Sequence, residues 1–326
     1  MTAELTTRVL AADDDAIAEA AHCLGAGGLV AFPTETVYGL GADATDGRAV
    51  ARLYAAKGRP AFNPLIAHVP DIAAARALST FNEAAEQLAA AFWPGPLTLV
   101  LNKRPNCPVA DLATAGLDSI AIRVPDHPVA HGLLRALGRP VVAPSANRSG
   151  HVSPTAAAHV LSDLRGRIDM ILDGGPTLVG IESTIVACLD RPALLRPGGA
   201  PRDAIERALG ATLAEAPPEE PDAPLAPGML ASHYAPRARL RLNARDVRDG
   251  EALLAFGPDR TAGSARHTLN LSEAGDLVEA AANLFSHLRT LDALNATTIA
   301  VMPIPGEGLG EAINDRLSRA AAPKAY

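Results

Sequence analysis

The stretch Leu29-Val30-Ala31-Phe32-Pro33-Thr34-Glu35-Thr36-Val37-Tyr38-Gly39-Leu40-Gly41 decides how this chain reads. A short apolar run, Leu29 to Phe32, is ended by Pro33 and passes straight into hydroxyls and a carboxylate. Such a run, bounded by turn signals, reads as a buried strand. The polar residues after it then stand at a sheet edge, where open α/β sheets place ligands. Two local readings stay open. Thr34 and Thr36 either bond the backbone of a capped turn or present their hydroxyls to a ligand.

Outward from this stretch, helices and strands alternate. Asp13 or Asp14 caps a helix over 13–26 that stops at the glycines 25–28, and Asp46 caps one that ends at Lys57-Gly58. Strands are predicted at 65–69, 97–101, 120–124, 140–143, 169–172, 183–188 and 193–195. Helices are predicted at 71–78, 82–92, 128–137, 155–164 and 202–209. This order predicts an α/β domain with a mixed sheet. Residues 211–228 change character, with five prolines among Glu215, Glu219, Glu220 and Asp222, and read as an extended acidic linker. Beyond it, a strand at 251–256, a helical face through Leu277, Ala281, Leu284, Leu288 and Leu291, and a strand at 297–302 predict a small parallel α/β unit. Gly306-Glu307-Gly308-Leu309-Gly310 follows two prolines and reads as a loop.

The whole chain of 326 residues suits two domains, and its 48% apolar and 20% charged residues exclude a disordered protein. The net charge of −7 argues against a protein that neutralises many nucleic-acid phosphates. Three separated cysteines, none in a CxxC pair, argue against a disulfide framework or a cysteine-rich zinc site. No apolar run reaches the ~20 residues of a membrane helix, and the N-terminus lacks a signal-peptide pattern, so a cytoplasmic protein is expected. Only three of the 29 basic residues are lysines: Lys57, Lys103 and Lys324. A lysine inside a dense motif is then notable, because ammonium and guanidinium are not interchangeable at a phosphate.

Four polar clusters fall at predicted strand ends. The first is the opening stretch. The second is Lys57-Gly58-Arg59-Pro60 with Asn63-Pro64 and His68, two cations in a proline-stiffened segment that suits a phosphate chain. Helix C-terminal charge would also explain Lys57, though Arg59 less well. The third joins Ser119 and Arg123 to Pro144-Ser145-Ala146-Asn147-Arg148-Ser149-Gly150 and Ser153. Arg123 interrupts the apolar run Ile120 to Val124, so it needs an anionic partner, either a structural carboxylate or a ligand's. The fourth is Asp173-Gly174-Gly175, Glu182-Ser183-Thr184 and Arg196. There is no P-loop, no G-x-G-x-x-G after a strand, no H-E-x-x-H and no G-x-S-x-G.

Taken in order, these blocks resemble the YrdC-type domain of the threonylcarbamoyl-AMP synthases. The resemblance rests on Phe32 to Leu40, Lys57-Gly58-Arg59-Pro60 with Asn63-Pro64-Leu65, Trp93-Pro94-Gly95-Pro96-Leu97-Thr98, Arg123-Val124-Pro125, Ala143-Pro144-Ser145-Ala146-Asn147, Glu182-Ser183-Thr184 and Leu195-Arg196-Pro197-Gly198. It covers residues 10–210. Ala226-Pro227-Gly228-Met229 and Ser232-His233-Tyr234-Ala235-Pro236 are similar to the linker of the two-domain members.

The resemblance implies a YrdC-like twisted mixed sheet with helices over 1–210, a linker and active-site lid over 211–236, and a small Rossmann-like α/β domain over 237–326. It implies synthesis of L-threonylcarbamoyladenylate from L-threonine, bicarbonate and ATP, with pyrophosphate released. The product supplies the threonylcarbamoyl group of tRNA t6A through a separate transfer machinery. It maps threonine recognition onto Thr36, His68, Arg123, the Ala143 backbone and Ser183. ATP contacts map onto Arg59, Asn63, Ser119, Ser145, Ser153, Arg196 and Tyr234. Lys57 and Arg59 are the expected catalytic cations. Mg²⁺ is expected with the triphosphate, with no dedicated protein cage. Two rivals are an RNA-binding module, which the net charge disfavours, and a carbamoyltransferase of the hydrogenase-maturation type, which needs cysteine-rich zinc modules.

Overall fold

The computed structural model describes residues 5–215, 233–258 and 263–323. The first unit runs β1 (Arg8–Ala11), α1 (Asp14–Gly25), β2 (Val30–Pro33), β3 (Tyr38–Asp43), α2 (Gly47–Lys57), β4 (Ile66–His68), α3 (Ile72–Leu78), β5 (Ser79–Thr80), α4 (Glu83–Phe92) and β6 (Leu97–Lys103). It continues with β7 (Ser119–Arg123), α5 (Pro128–Leu137), β8 (Val141–Val142), α6 (Ala157–Leu164), β9 (Met170–Asp173), β10 (Thr184–Ala187), β11 (Ala193–Arg196), α7 (Arg202–Leu209) and β12 (Ala214–Glu215). Twelve strands form one mixed sheet in the order β1-β9-β2-β3-β8-β4-β7-β6-β10-β11-β12, with β5 paired to the end of β6. The sheet runs past Gly210 because Ala214 N–H bonds Pro192 O and brings β12 alongside β11.

The two-residue period of the strands decides what each face buries. One face is covered along its length. Ala31, Leu40, Ala67, Ile122, Val142 and Ile171 meet α2, α3 and α6, and Leu97, Leu99, Val186 and Leu194 meet α4 and α7. On the opposite face, Val30, Phe32, Val141, Met170 and Leu172 pack under α1 and α5. The rest of that face is the cluster Ile66, Val100, Ala121, Ile185, Ala187 and Leu195, strand residues only. Among the described residues, no helix covers that half.

Gly39 and Gly41, for which no strand is predicted, lie in β3. The turn closes at Val37 and the chain returns antiparallel to β2, pairing Phe32 with Gly39 and Val30 with Gly41. A Cβ on Gly41 would stand 2.9 Å from the Phe32 ring. These glycines are strand positions cleared for a large side chain.

The second unit is a four-stranded, all-parallel sheet, β13 (Arg239–Arg241), β14 (Ala252–Ala255), β15 (Thr268–Asn270) and β16 (Thr298–Val301), in the order β13-β16-β14-β15. Helices α8 (Leu277–Ala293) and α9 (Leu309–Ala321) pack on one of its faces. The glycine-rich stretch at 306–310, expected as a loop, leads into α9. A Cβ on Gly310 would sit 1.9 Å from Pro305 O, so only glycine lets the helix start so close to the preceding chain. Val37, Val152, Ile181 and Tyr234 share one apolar cluster with α8 and α9, so the two units are packed together. Gly180 admits α8 directly, its absent Cβ lying 2.4 Å from Ala282 Cα. No helix among the described residues is long and apolar enough to cross a membrane, and the three cysteines are free thiols.

Candidate active site

The half-face without a helix is an apolar floor with a polar rim. Register makes it so. In β7, Ser119, Ala121 and Arg123 share a face; Ile66 pairs with Ala121 and His68 with Arg123. The antiparallel pairing of β6 with β7 sets Leu99 against Ile122 and Asn102 against Ser119. Thr98, Val100 and Asn102 therefore share the face of Arg123, Ala121 and Ser119. Arg123 and His68 stand at one end of this floor and Ser119 at the other.

At the Arg123 end the guanidinium is buried. Its Nη2 donates to Glu35 Oε1 at 2.6 Å and its Nε to Gly95 O at 3.2 Å. Glu35 Oε2 accepts from Asp126 N–H at 3.0 Å. The anion that the sequence demands for Arg123 is thus present in the chain, inside the opening motif. The hydrogen bonds of Arg123 among the described residues are made by Nε and Nη2. His68 is buried beside it. Burial and then the Arg123 charge push its imidazole down to about 3, so it stays neutral at physiological pH. Thr34 Oγ1 donates to Val37 O at 2.7 Å, accepts from Thr36 and Val37 N–H, and lies 2.8 Å from Thr36 Oγ1. The capped turn therefore exists, and it is also what fixes the Thr36 hydroxyl at the end of β2. Ala143 N–H bonds Ile66 O at 3.1 Å, which places Ala143 across from the floor strand β4.

The two cations of the second cluster are held by neutral oxygens. Lys57, the last residue of α2, is buried, and its Nζ donates to Ser145 O at 2.6 Å and Asn147 O at 2.5 Å. It straps the Ser145–Asn147 turn to the helix end, reinforced by Ser149 N–H on Lys57 O. Burial, with Arg59 adding, pushes the ammonium well below the ordinary lysine range. Gly58 in the left-handed region (φ 62°) ends α2 and turns the chain toward Arg59. Arg59 donates through Nε to Asn63 O and Nη2 to Pro64 O, at 3.3 and 3.0 Å, and burial lowers its pKa to about 10. Asn63 Oδ1 and Asn147 Oδ1 are buried acceptors without a hydrogen-bond donor. The Asn147 amide nitrogen is already spent on Arg148 O and His151 O.

Across the floor, Arg196 donates to Ser183 O (2.8 Å from Nη2) and to Ser183 Oγ (3.4 Å), and Ser183 Oγ lies 2.8 Å from Thr98 Oγ1. This chain links Arg196 to the Arg123 end. The other link is His233-Tyr234, the described end of the expected lid; residues 216–232 of that linker lie outside the described residues. Burial pushes His233 down to about 3, with Arg59, Lys57 and Arg196 working in the same direction against Glu182. Arg59 and Arg196 also act on each other and on Tyr234. Hydrogen bonds bring the end of α2 and the chain after Tyr234 to one turn: Lys57 Nζ holds Ser145 O and Asn147 O, and Ala235 N–H bonds Gly150 O at 2.8 Å. Ser153 is fully buried, and its hydroxyl donates to Glu182 Oε1 at 2.5 Å.

Sequence reading passed over Glu35, Thr98, Glu182, His233 and Arg316. Glu35 and Glu182 each adjoin a predicted threonine-binding hydroxyl, and a carboxylate entering an apolar strand signals a buried ion pair. Arg316 carried a signal of another kind. It falls on the stripe Ala312, Ile313, Leu317, Ala320 of α9, a cation at a core position.

Known proteins resemble both units. Residues 22–198 match the Sua5/YciO/YrdC family model, described as telomere recombination, and residues 201–322 match the C-terminal domain of threonylcarbamoyl-AMP synthase. The chain is 42% identical over 331 residues to the threonylcarbamoyl-AMP synthase of Bacillus subtilis, covering 97% of this chain and 95% of that one. It is 43% identical over 317 residues to that of Pyrococcus abyssi, covering 93% of each. The crystal structure of P. abyssi Sua5 complexed with L-threonine matches with a TM-score of 0.87 at 39% identity over 97% of both chains.

Proposed function

The chain belongs to the threonylcarbamoyl-AMP synthase family, and we propose that it is a nucleotidyltransferase joining L-threonine, bicarbonate and ATP into L-threonylcarbamoyladenylate. The observation that carries this reading is one floor on which the strand register aligns Arg123 with Arg196 through Thr98 and Ile185, with Lys57 and Arg59 held at the turns after β8 and before β4. The threonine amine and bicarbonate form N-carboxythreonine, an N–C bond forming as a C–O bond breaks and water leaves. Its carboxylate attacks the α-phosphorus of ATP, a new P–O bond forms, and the bond to pyrophosphate breaks.

Two anions must meet at one phosphorus, so charge neutralisation and positioning supply most of the catalysis. Arg123 Nη1 takes the threonine carboxylate, with Thr36, His68, Ser183 and the Ala143 backbone around the amino acid. His68, held neutral, offers a ring nitrogen for hydrogen bonding without a second local charge. Lys57 and Arg59 face the triphosphate. Each spends two donors on backbone carbonyls and directs the remainder at phosphate oxygens. Asn63, Ser119, Ser145, Ser153, Arg196 and Tyr234 complete the nucleotide end, where the bare Oδ1 of Asn63 awaits an N–H or O–H donor. Both carboxylates bordering the floor are taken, Glu35 by Arg123 and Glu182 by Arg316. Mg²⁺ is therefore read as entering on the phosphate oxygens of ATP, as part of the substrate. The adenylate then passes to the tRNA-modifying transfer machinery.

Pyrophosphate release should require L-threonine and bicarbonate together, and mass spectrometry should find the adenylate. Release with ATP alone, or equal efficiency with L-serine, would overturn the assignment.

A further inference from the structure

The second unit sends one fully buried cation toward the nucleotide end. Arg316 of α9 donates through Nε to Glu182 Oε2 at 2.8 Å and through Nη1 to Asp315 Oδ2 at 2.6 Å. Glu182 belongs to the first unit and is itself buried. Its other oxygen receives the Ser153 hydroxyl. The Arg316 guanidinium also lies 5.1 Å from the centre of the Tyr234 ring, which stacks on Phe285 of α8 at 5.6 Å and meets the His233 ring edge-on at 4.0 Å. Tyr234 is 1% exposed and holds φ at 62°, a left-handed backbone that a bulky residue adopts only when its surroundings impose it. Here the surroundings come from both units: Val37, Val152 and Ile181 of the first share its apolar cluster and Ala235 N–H bonds Gly150 O, while Arg316 and Phe285 of the second lie against the ring.

We propose that Arg316 is a positioning residue for the nucleotide end, setting the Tyr234 ring directly and the Ser153 hydroxyl through Glu182. The inference rests on the reading of Ser153 and Tyr234 as ATP contacts. It gives the second domain a defined task, which is to fix two groups that the first domain cannot hold alone. Ser153 needs the Glu182 acceptor, and Glu182 stays ionised in a buried place only beside a cation. Burial pushes that carboxyl up, but Arg316 and then Arg196 outweigh it and hold it below the usual carboxylate range. The face of the Tyr234 ring needs the guanidinium against it to keep its strained backbone. Glu182 adjoins Ser183 in the chain, but the two groups that Arg316 sets, the Tyr234 ring and the Ser153 hydroxyl, are both on the nucleotide side of that reading, so the larger effect falls on ATP.

The test is calorimetric titration of MgATP, and separately of L-threonine, into the full chain and its variants. Arg316→Met should weaken ATP binding by about tenfold or more while leaving threonine binding within about twofold. ATP KM should rise far more than kcat falls. Arg316→Lys should restore part of the ATP affinity, and it keeps the question open if methionine at 316 unfolds the chain. Glu182→Gln combined with Arg316→Met should bind ATP better than Arg316→Met alone, because the single variant strands a buried carboxylate. Unchanged ATP affinity in Arg316→Met overturns the inference, as does parallel loss of both ligands. Ser153→Ala and Tyr234→Ala separate the premises. If both bind ATP like the parent, the ATP-contact reading fails and takes this inference with it. If they lose affinity and Arg316→Met does not, the inference alone fails.

Discussion

The two ends of the floor bury cations in opposite ways. Arg123 is matched by a carboxylate within the chain, Glu35. Lys57 and Arg59 are held on backbone carbonyls, and among the described residues neither forms an ion pair. A carbonyl lends a dipole and no charge. The Lys57–Arg59 end therefore keeps its net positive field, whereas the Arg123 end is balanced and offers mainly direction. A polyanion needs field, and a small zwitterion needs oriented donors. On the proposed reading, the same residue class serves two substrates according to what lies behind it.

Removing a field cation should have the largest effect on turnover. Lys57→Met and Arg59→Met should each lower kcat/KM by roughly 10²–10³-fold with the fold intact. Arg59→Lys should recover little, because the planar fork on Asn63 O and Pro64 O cannot be copied by an ammonium. Near-normal turnover in either variant would break the distinction between the two ends.

The Arg123 end should fail differently. Arg123→Met leaves Glu35 buried and unpaired, a loss of about 3–5 kcal/mol of stability. Adding Glu35→Gln should return part of it. Denaturant unfolding of the two single variants and the double variant checks this. A double variant no more stable than Arg123→Met alone would show that Glu35 does not balance the charge.

The smallest effect is a pH dependence that reads both ends at once. His68 and His233 are each held near 3 in the folded chain, below the ordinary value of about 6.5. Above that ordinary value both are neutral, folded or unfolded. As pH falls from about 6.5 toward 3 the unfolded chain takes up protons that the folded chain refuses, so stability declines through that window. His68→Asn should flatten the acid slope of Tm, and imidazole NMR titration should show neither ring protonating at pH 5. A ring titrating near 6 would place it outside the influence assigned here.

Much of the fold was legible in the chain. Asp13, Asp46, Asp71 and Asn82 cap the helices they precede, and the apolar periods give the main strands. Helix α9 and strand β3 were not legible, because their glycines look like loop residues until a neighbour is in place to need the space. The polar clusters, expected at strand ends, are there: Thr34 follows β2, and His68, Arg123 and Arg196 end β4, β7 and β11. The partners of those residues were a different matter. Glu35 and Arg123 are 88 positions apart, and Glu182 and Arg316 are 134.

The sequence by itself determined most of the helices, the main strands and the family, because caps, periodicity and motif spacing act over a few residues. Only the tertiary structure decided which cations meet a carboxylate of the chain and which meet carbonyls, which half of one sheet face the described helices leave uncovered, and that an arginine of the second domain stands behind Tyr234. Charge balance and face coverage depend on what the folded chain brings within a few ångströms, and no local pattern encodes that.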